Sequence, residues 1–246
     1  MDSAPPRRPE HLDLRGQGLT DVPEWVWARR ELETLNLSEN RISSVSNDIA
    51  QLSGLRMLDL GHNELAELPE ALGQLVNLSD YLYLSFNHLT NFPAFLGHLN
   101  RLKYLNVTDN QLCDLPDAIG DMLGLRELRL YGNRLTQLPD ALGELVNLRE
   151  LHLANNPITS LPDGMAGLRG LRILDLHNNR VQSVPMWLGE LHDLAYIDLR
   201  NNRFDTLPDS VAGLLKLHKL DLRWNKLSVI PSWVDDLERR GCAVLL

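Results

Sequence analysis

Apolar and polar residues alternate along the chain in one recurring frame, L-x-x-L-x-L-x-x-N-x-L. Within one copy, Leu128 and Leu130 flank a single polar residue, which is the two-residue period of a strand with one buried face. The asparagine recurs every 23 residues, with one interval of 24 between Asn63 and Asn87. We expect this asparagine to bond the backbone groups of the turn after each strand. The asparagines of the frame are Asn40, Asn63, Asn87, Asn110, Asn133, Asn156, Asn179, Asn202 and Asn225.

The regular spacing predicts ten stacked repeats. Gln17 lies 23 residues before Asn40 in a degenerate first copy, so the frame runs through nearly the whole chain. Such a chain forms a solenoid in which each repeat contacts only its neighbours. We predict a tail over residues 1–8, ten repeats over residues 9–231 and a C-terminal cap over residues 232–246. In the cap, Ser232 is the expected N-cap of a helix, Gly241 its stop, and residues 242–246 an edge strand.

The second half of each repeat reads L-P-x-x-L-G-x-L, as in the segment from Leu138 to Leu145. Its leucines at i, i+4 and i+7 follow a proline suited to the first turn of a helix. This frame resembles the 23-residue leucine-rich-repeat proteins, including Scribble-like and plant intracellular Ras-group-related types. The ending, Leu237 to Leu246, is similar to the cap of small free-standing bacterial members.

The resemblance implies a fold and a class of function. The fold is an α/β leucine-rich-repeat solenoid, or horseshoe, with a parallel β-sheet on the concave face and short helices or 3₁₀ turns on the convex face. The implied function is to bind protein partners, and no catalytic residue carries over. Two alternatives remain: a secreted bacterial effector, or a receptor-like sensor of a small molecule or glycan. An effector normally has a long export segment, whereas about eight residues precede the first repeat here.

Composition and charge reduce the classes of partner that the chain is expected to bind. The 33 acidic residues exceed the 24 basic ones, and the resulting net charge of −9 disfavours nucleic acid as a partner. No apolar run reaches the ~18 residues of a membrane span, so no membrane partner is expected. Cys113 and Cys242 lie more than five repeats apart, about 27 Å at ~4.8 Å per strand. We therefore expect no disulfide and a cytoplasmic location.

Catalytic and metal-binding motifs are missing from the sequence. It contains no phosphate-binding G-x-x-x-x-G-K-[ST], no G-x-S-x-G, no H-E-x-x-H and no C-x-x-C. We therefore expect neither enzymatic activity nor a cofactor. His152 and Asp175 fall at the same strand position in adjacent repeats, which an ion pair explains as well as a metal does. No metal site is predicted.

The repeat frame places outward side chains on the concave face six, four and two residues before each asparagine. All five tyrosines lie at these positions, four of them in repeats four to six. Exposed aromatic side chains in a polar surround are typical of interface hot spots, although stacked tyrosines also stabilise a sheet. We predict that a protein or peptide partner contacts Met57, Tyr81, Tyr83, Phe86, Tyr104, Arg129, Tyr131 and His152.

A second, charged set occupies the concave face in repeats eight to ten. Aligned carboxylates repel, and the neighbouring basic residues are placed to neutralise them. The set is therefore interpreted either as a network of ion pairs or as a docking surface for a charged partner. Its members are Asp175, His177, Asp198, Arg200, Asp221 and Arg223.

Two irregularities complete the pattern. The 24-residue interval requires one extra residue within Leu78 to Leu84, which predicts a bulge just before the fourth strand. The apolar edge strand at the C-terminus predicts either end-to-end dimers or, if the preceding helix covers it, a monomer, which we favour.

Overall fold

The computed structural model describes residues 10–246, which form one open sheet of eleven parallel strands in chain order. In most strands the middle residue is buried and its two neighbours are partly exposed, as the alternating pattern predicts. This sheet confirms the predicted solenoid. The strands are β1 (Glu10–Asp13), β2 (Leu32–Asn36), β3 (Met57–Asp59), β4 (Tyr81–Tyr83), β5 (Tyr104–Asn106), β6 (Glu127–Arg129), β7 (Glu150–His152), β8 (Ile173–Asp175), β9 (Tyr196–Asp198), β10 (Lys219–Asp221) and β11 (Ala243–Leu245).

Short 3₁₀ helices form the opposite, convex side. Nearly all of them begin directly after a proline, whose fixed φ suits the entry to a helical turn. A leucine or another apolar residue of each helix is buried against the back of the sheet. The 3₁₀ helices are Glu24–Val26, Asn47–Gln51, Glu70–Gln74, Ala94–His98, Asp117–Asp121, Asp140–Glu144, Asp163–Gly167, Met186–Glu190 and Asp209–Gly213.

The recurring asparagines tie each repeat to the one before it. The Nδ2 of Asn156 donates to the carbonyls of Leu153 and Leu130, both at 3.0 Å, and its Oδ1 accepts the N–H of Leu135 at 3.0 Å. Two of these three partners lie in the preceding repeat. The same bonding recurs along the column, so its predicted structural role is confirmed.

The 24-residue interval is absorbed immediately before β4. In a regular repeat, Arg126 and the residue after it both donate to the carbonyl of Lys103, at 2.8 and 3.1 Å. At the irregular repeat, Lys103 and Tyr104 donate to separate carbonyls, those of Ser79 and Asp80, each at 3.2 Å. Ser79 and Asp80 therefore take the place that a single residue has in a regular repeat, which confirms the predicted bulge.

The C-terminal cap contains one α-helix, α1 (Trp233–Arg239), and the strand β11. Gly241 follows α1 with φ of +89°, which confirms it as the stop. The prediction for Ser232 was wrong in part: it stands at the N-cap with helical dihedrals, and its side chain makes no capping bond. Cys113 and Cys242 are both free, as expected. The predicted tail over residues 1–8 lies outside the described residues, and no helix of residues 10–246 is long and apolar enough to cross a membrane.

Candidate functional site

The middle outward position of most strands has a structural task that sequence reasoning missed. Seven of the ten repeats carry Asp or Asn four residues before the frame asparagine or its equivalent. In each case the side-chain oxygen accepts the N–H of the residue two places on, at 2.9 to 3.3 Å. Such a bond pins the turn that leaves the strand. These residues are Asp13, Asn36, Asp59, Asn106, Asp175, Asp198 and Asp221.

Three repeats in the middle of the chain depart from this pattern. Tyr83, Arg129 and His152 occupy the same position and lack a side-chain acceptor that makes this bond. A hydrogen bond of this kind is worth about 0.5–1.5 kcal/mol. Repeats four, six and seven therefore forgo a local stabilising bond and present larger side chains on the concave face.

Around Tyr83 three aromatic rings pack together. The ring centroids of Tyr81 and Tyr83 are 5.9 Å apart, those of Tyr81 and Tyr104 5.4 Å, and those of Tyr83 and Tyr104 5.1 Å. The Cζ of Arg129 lies 5.6 Å from the Tyr104 centroid, in a cation–π contact. We call Tyr81, Tyr83, Tyr104 and Arg129 the tyrosine patch. Tyr81 is its most accessible ring, with 44% of its surface exposed.

The tyrosine patch is partly desolvated and is bordered by charged residues. Burial raises the pKa of Tyr104 to about 12 and also raises the pKa of Tyr83, so both phenols remain neutral hydrogen-bonding groups. The inserted Asp80 lies at the edge of the patch and contacts Arg56 at 3.0 Å and Lys103 at 3.3 Å. Asp80 thus links repeat four to repeats three and five through ion pairs.

The remaining predicted partner-binding residues are distributed less tightly than expected. Met57 lies opposite Tyr81 in the sheet register and so borders the patch. Tyr131 is half-buried and makes no ring contact with the other tyrosines. The ring of Phe86 stacks on that of His62, with centroids 4.2 Å apart, because both side chains leave the turn after their strands.

His152 also has a different partner from the expected one. It lies beside Asp175 in the register, but its Nε2 contacts Glu150 on its own strand at 3.3 Å. Among residues 10–246, two groups of three potential metal ligands have their donor atoms within 4.8 Å, and each includes a histidine. In each group an arginine already contacts a carboxylate, Arg129 on Glu127 at 2.5 Å and Arg200 on Asp198 at 3.1 Å. Ion pairing therefore accounts for both groups.

The charged set forms the predicted network of ion pairs. His177 contacts Asp175 at 2.6 Å, and Arg200 contacts Asp198. Arg223 donates two bonds to Asp221, at 2.9 and 2.7 Å, and the Asp221 side chain is fully buried. Each carboxylate also accepts a backbone N–H. The network therefore has a structural role that does not depend on a bound partner.

Asp198→Asn and Asp221→Asn are expected to affect stability differently. Burial raises the pKa of Asp198, so its charge is disfavoured in the fold, and an asparagine keeps the acceptor for the backbone N–H. Burial opposes the charge of Asp221 too, but hydrogen bonds from Arg223 outweigh it and lower that pKa. At neutral pH we expect Asp198→Asn to be neutral or stabilising and Asp221→Asn to lose about 2 kcal/mol.

Urea unfolding at several pH values checks this contrast. A lowered pKa stabilises the fold above the ordinary value of 3.8, and that contribution is lost as the pH falls through the folded value. A raised pKa acts oppositely: its contribution is present below 3.8 and is lost as the pH rises through the folded value. Equal losses for the two variants at neutral pH would contradict the assignment.

Comparisons with known proteins cover the repeats from end to end. A family model described as "Leucine-rich repeat region" matches residues 91–183. A second model, "Leucine rich repeat", matches residues 10–65, 30–89 and 169–227, which is more than half of the chain.

Solved structures share the fold over almost the whole chain. A leucine-rich-repeat protein of Leptospira interrogans has a TM-score of 0.90 and 34% identity, covering 96% of this chain and 60% of that protein. The Arabidopsis receptor kinase HAESA, in complex with the peptide hormone IDA and the co-receptor SERK1, has a TM-score of 0.78 and 31% identity, covering 88% of this chain and 38% of that protein.

Curated relatives match over shorter segments. The plant intracellular Ras-group-related LRR protein 7 of rice is 39% identical over 64 residues, which are 26% of this chain and 24% of that protein. Five curated relatives are matched over between 5% and 44% of their own length. The chain therefore matches less than half of the length of each of these curated relatives.

Proposed function

The chain belongs to the leucine-rich-repeat family, and we propose that it is a non-enzymatic interaction module whose concave face binds a protein or peptide. The family and its fold are typical of interaction modules, because stacked repeats present a long, rigid surface. HAESA, a structural relative, was solved with a peptide hormone. The partner contacts the tyrosine patch.

The observation that carries this proposal is the loss of the structural Asp or Asn in repeats four, six and seven. Tyr83 and Arg129 replace a residue that would bond its own turn, and both join the tyrosine patch. Ring stacking alone explains the contact between Tyr83 and Tyr104. Ring stacking does not account for Tyr81, which leaves 44% of its surface exposed to water. An exposed ring of this kind contributes most to the free energy of binding when a partner covers it.

The chemistry of the patch favours a particular kind of contact. Three tyrosine rings offer apolar faces for an aromatic or aliphatic anchor residue, and their hydroxyls and Arg129 offer hydrogen bonds at its edge. Fixed rings lose little entropy on binding, because each has only two side-chain torsions and packs on its neighbours. A short peptide with one such anchor is the smallest ligand that fits.

Selection from a displayed library of random dodecapeptides tests the proposal. Enriched peptides that carry an aromatic or aliphatic anchor residue are expected to bind Tyr83→Ala about thirtyfold more weakly, or about 2 kcal/mol, as for a hot spot. Tyr196→Ala is the matched control, because Tyr196 lies on the same face, 47% exposed, beside His218 and outside the patch. It should bind the peptides as the wild type does.

Two outcomes would contradict the assignment of peptide binding to the tyrosine patch. If the enriched peptides bind Tyr83→Ala normally and lose affinity for Asp198→Asn, the charged network is the binding surface. If no peptide is enriched over an unrelated protein, the concave face does not recognise short peptides. Circular dichroism of each variant shows that a lost affinity does not come from lost folding.

We also propose a cytoplasmic location and a monomeric state. The free thiols of Cys113 and Cys242 suit a reducing compartment. Light scattering at several micromolar concentrations checks the assembly: a mass that rises with concentration would support the end-to-end dimer through β11 instead.

A further inference from the structure

A depression on the rim, beyond the ends of the strands, lies apart from the tyrosine patch. It has a volume of about 430 Å³ and spans repeats six to nine. Its lining consists of six asparagines, three arginines and Pro157, so none of the described residues that line it carries a carboxylate. We call Arg134, Arg180, Arg203, Asn178 and Asn201 the rim strip. In a chain of net charge −9, this surface is locally positive.

The arginines of the rim strip differ from those of the concave face. Arg223 is neutralised by Asp221 on the concave face. Arg134, Arg180 and Arg203 are exposed, and none of them forms an ion pair with a carboxylate of residues 10–246. At ~4.8 Å per repeat, successive cations are about 10 Å and about 5 Å apart. Their charge is therefore available to a ligand.

Beside these arginines runs a ladder of asparagine side chains. The Nδ2 of Asn178 donates to the Oδ1 of Asn155 at 2.7 Å, and the Nδ2 of Asn201 donates to the Oδ1 of Asn178 at 2.8 Å. All three residues have φ between 54° and 56°, a left-handed conformation that asparagine tolerates better than most residues. Each amide nitrogen carries two hydrogens, and the ladder uses one. The second can donate to a ligand.

We propose that the rim strip binds a short, extended acidic peptide. Arginine binds carboxylates through two parallel hydrogen bonds. Alternate side chains of an extended peptide are ~7 Å apart, which lies between the ~5 Å and ~10 Å spacings of the successive arginines, and the long arginine side chains bridge the difference. Carboxylates of the peptide contact Arg180 and Arg203. The ladder amides of Asn178 and Asn201 donate to its backbone carbonyls and so hold it extended.

The same observations weigh against nucleic acid as the occupant. Single-stranded nucleic acids are held by aromatic side chains that stack on bases, and no aromatic residue among residues 10–246 lines the depression. A long polyanion would also meet the net charge of −9 of the whole protein, whereas a short peptide meets mainly the local field of the strip.

Fluorescence anisotropy with a rhodamine-labelled hexapeptide of alternating Glu and Ser tests the proposal at low ionic strength. The wild type is expected to bind this peptide and to bind the Gln-for-Glu peptide at least about tenfold more weakly, with affinity falling as salt screens the charges. Arg180→Gln should weaken binding about tenfold. Arg169→Gln, which removes an exposed arginine of the convex side, is the matched control and should bind normally.

The ladder has its own variant. Asn178→Gly removes the amide and leaves the backbone unstrained, because Gly132 occupies the same place in another repeat with φ of +68°. It should weaken peptide binding several-fold, whereas Tyr83→Ala should not, which separates this surface from the concave one.

Three results would overturn the proposal. They are equal affinity for the neutral peptide, unchanged binding by Arg180→Gln, and no binding of the acidic peptide at all. Tighter binding of an oligothymidine of matched charge would instead assign the strip to nucleic acid.

Discussion

Asn133→Ala is expected to lower the free energy of unfolding by about 3 kcal/mol. The Nδ2 of Asn133 donates to the carbonyls of Val107 at 3.0 Å and Leu130 at 2.9 Å, and its Oδ1 accepts the N–H of Leu112 at 3.0 Å. An alanine removes all three bonds and leaves the buried N–H of Leu112 without a partner, which costs about 1–3 kcal/mol unless water reaches it. The two carbonyls keep only their bonds from the neighbouring frame asparagines, Leu130 from Asn156 at 3.0 Å and Val107 from Asn110 at 3.2 Å. Val107 and Leu112 belong to the preceding repeat, so the interface between repeats is weakened most.

Urea unfolding followed by circular dichroism measures the loss. Asn147→Ala is the control, since Asn147 is exposed and donates one bond, to the carbonyl of Leu123 at 2.9 Å. It should lose less than about 1 kcal/mol. Because solenoid stability depends on coupling between neighbours, Asn133→Ala should also broaden the transition. If the two variants lose the same stability, the asparagine column does not hold the repeats together.

The repeat register explains why so much of the fold could be predicted from sequence. A one-residue shift would turn Leu128 and Leu130 outward, so the buried columns admit a single alignment. The same register assigned Tyr81, Tyr83 and Tyr104 to neighbouring strands, and the rings do meet. The extra residue before β4 could be placed for the same reason, because both flanking leucine columns had to remain inside.

Register does not determine which way a side chain leans along its strand. His152 leans toward Glu150 on its own strand, although Asp175 is its register partner. Phe86 leaves the turn with φ of 54° and reaches His62 rather than the tyrosines. The bonds from Asp198 to its own turn also depend on local torsions. These contacts set the detailed geometry of the site, and the residue types at a given repeat position do not determine them.

Gly143→Ala is expected to destabilise the protein by about 3 kcal/mol, even though alanine is the better helix former. A Cβ on Gly143 would overlap the backbone carbonyl oxygen of Gly164 in the 3₁₀ helix of the next repeat. A backbone atom cannot rotate away as a side chain does, so the two helices must separate. Gly97 and Gly120 face the next repeat in the same way, with a Cβ 2.7 and 2.6 Å from a carbonyl oxygen.

Gly213→Ala is the control for this prediction. Gly213 ends the last 3₁₀ helix, and the nearest atom to its Cβ would be the carbonyl oxygen of Gly189 at 3.9 Å, an ordinary contact. This variant should be neutral or slightly more stable, by up to about 1 kcal/mol, because alanine restricts the unfolded chain. A similar loss in both variants would mean that the glycines matter for backbone freedom rather than for packing.

The location of the amides that exchange faster in Gly143→Ala should distinguish separation of the convex helices from general unfolding. Strand spacing on the concave face is held at ~4.8 Å by backbone bonds, so extra volume between repeats six and seven must be accommodated on the convex side. The N–H of Leu168, which bonds the carbonyl of Met165 at 3.0 Å, should then exchange with solvent faster in Gly143→Ala. The N–H of Leu130, bonded to His152 across the sheet at 2.8 Å, should exchange as in the wild type. Faster exchange at both amides would show instead that the repeat opens as a unit.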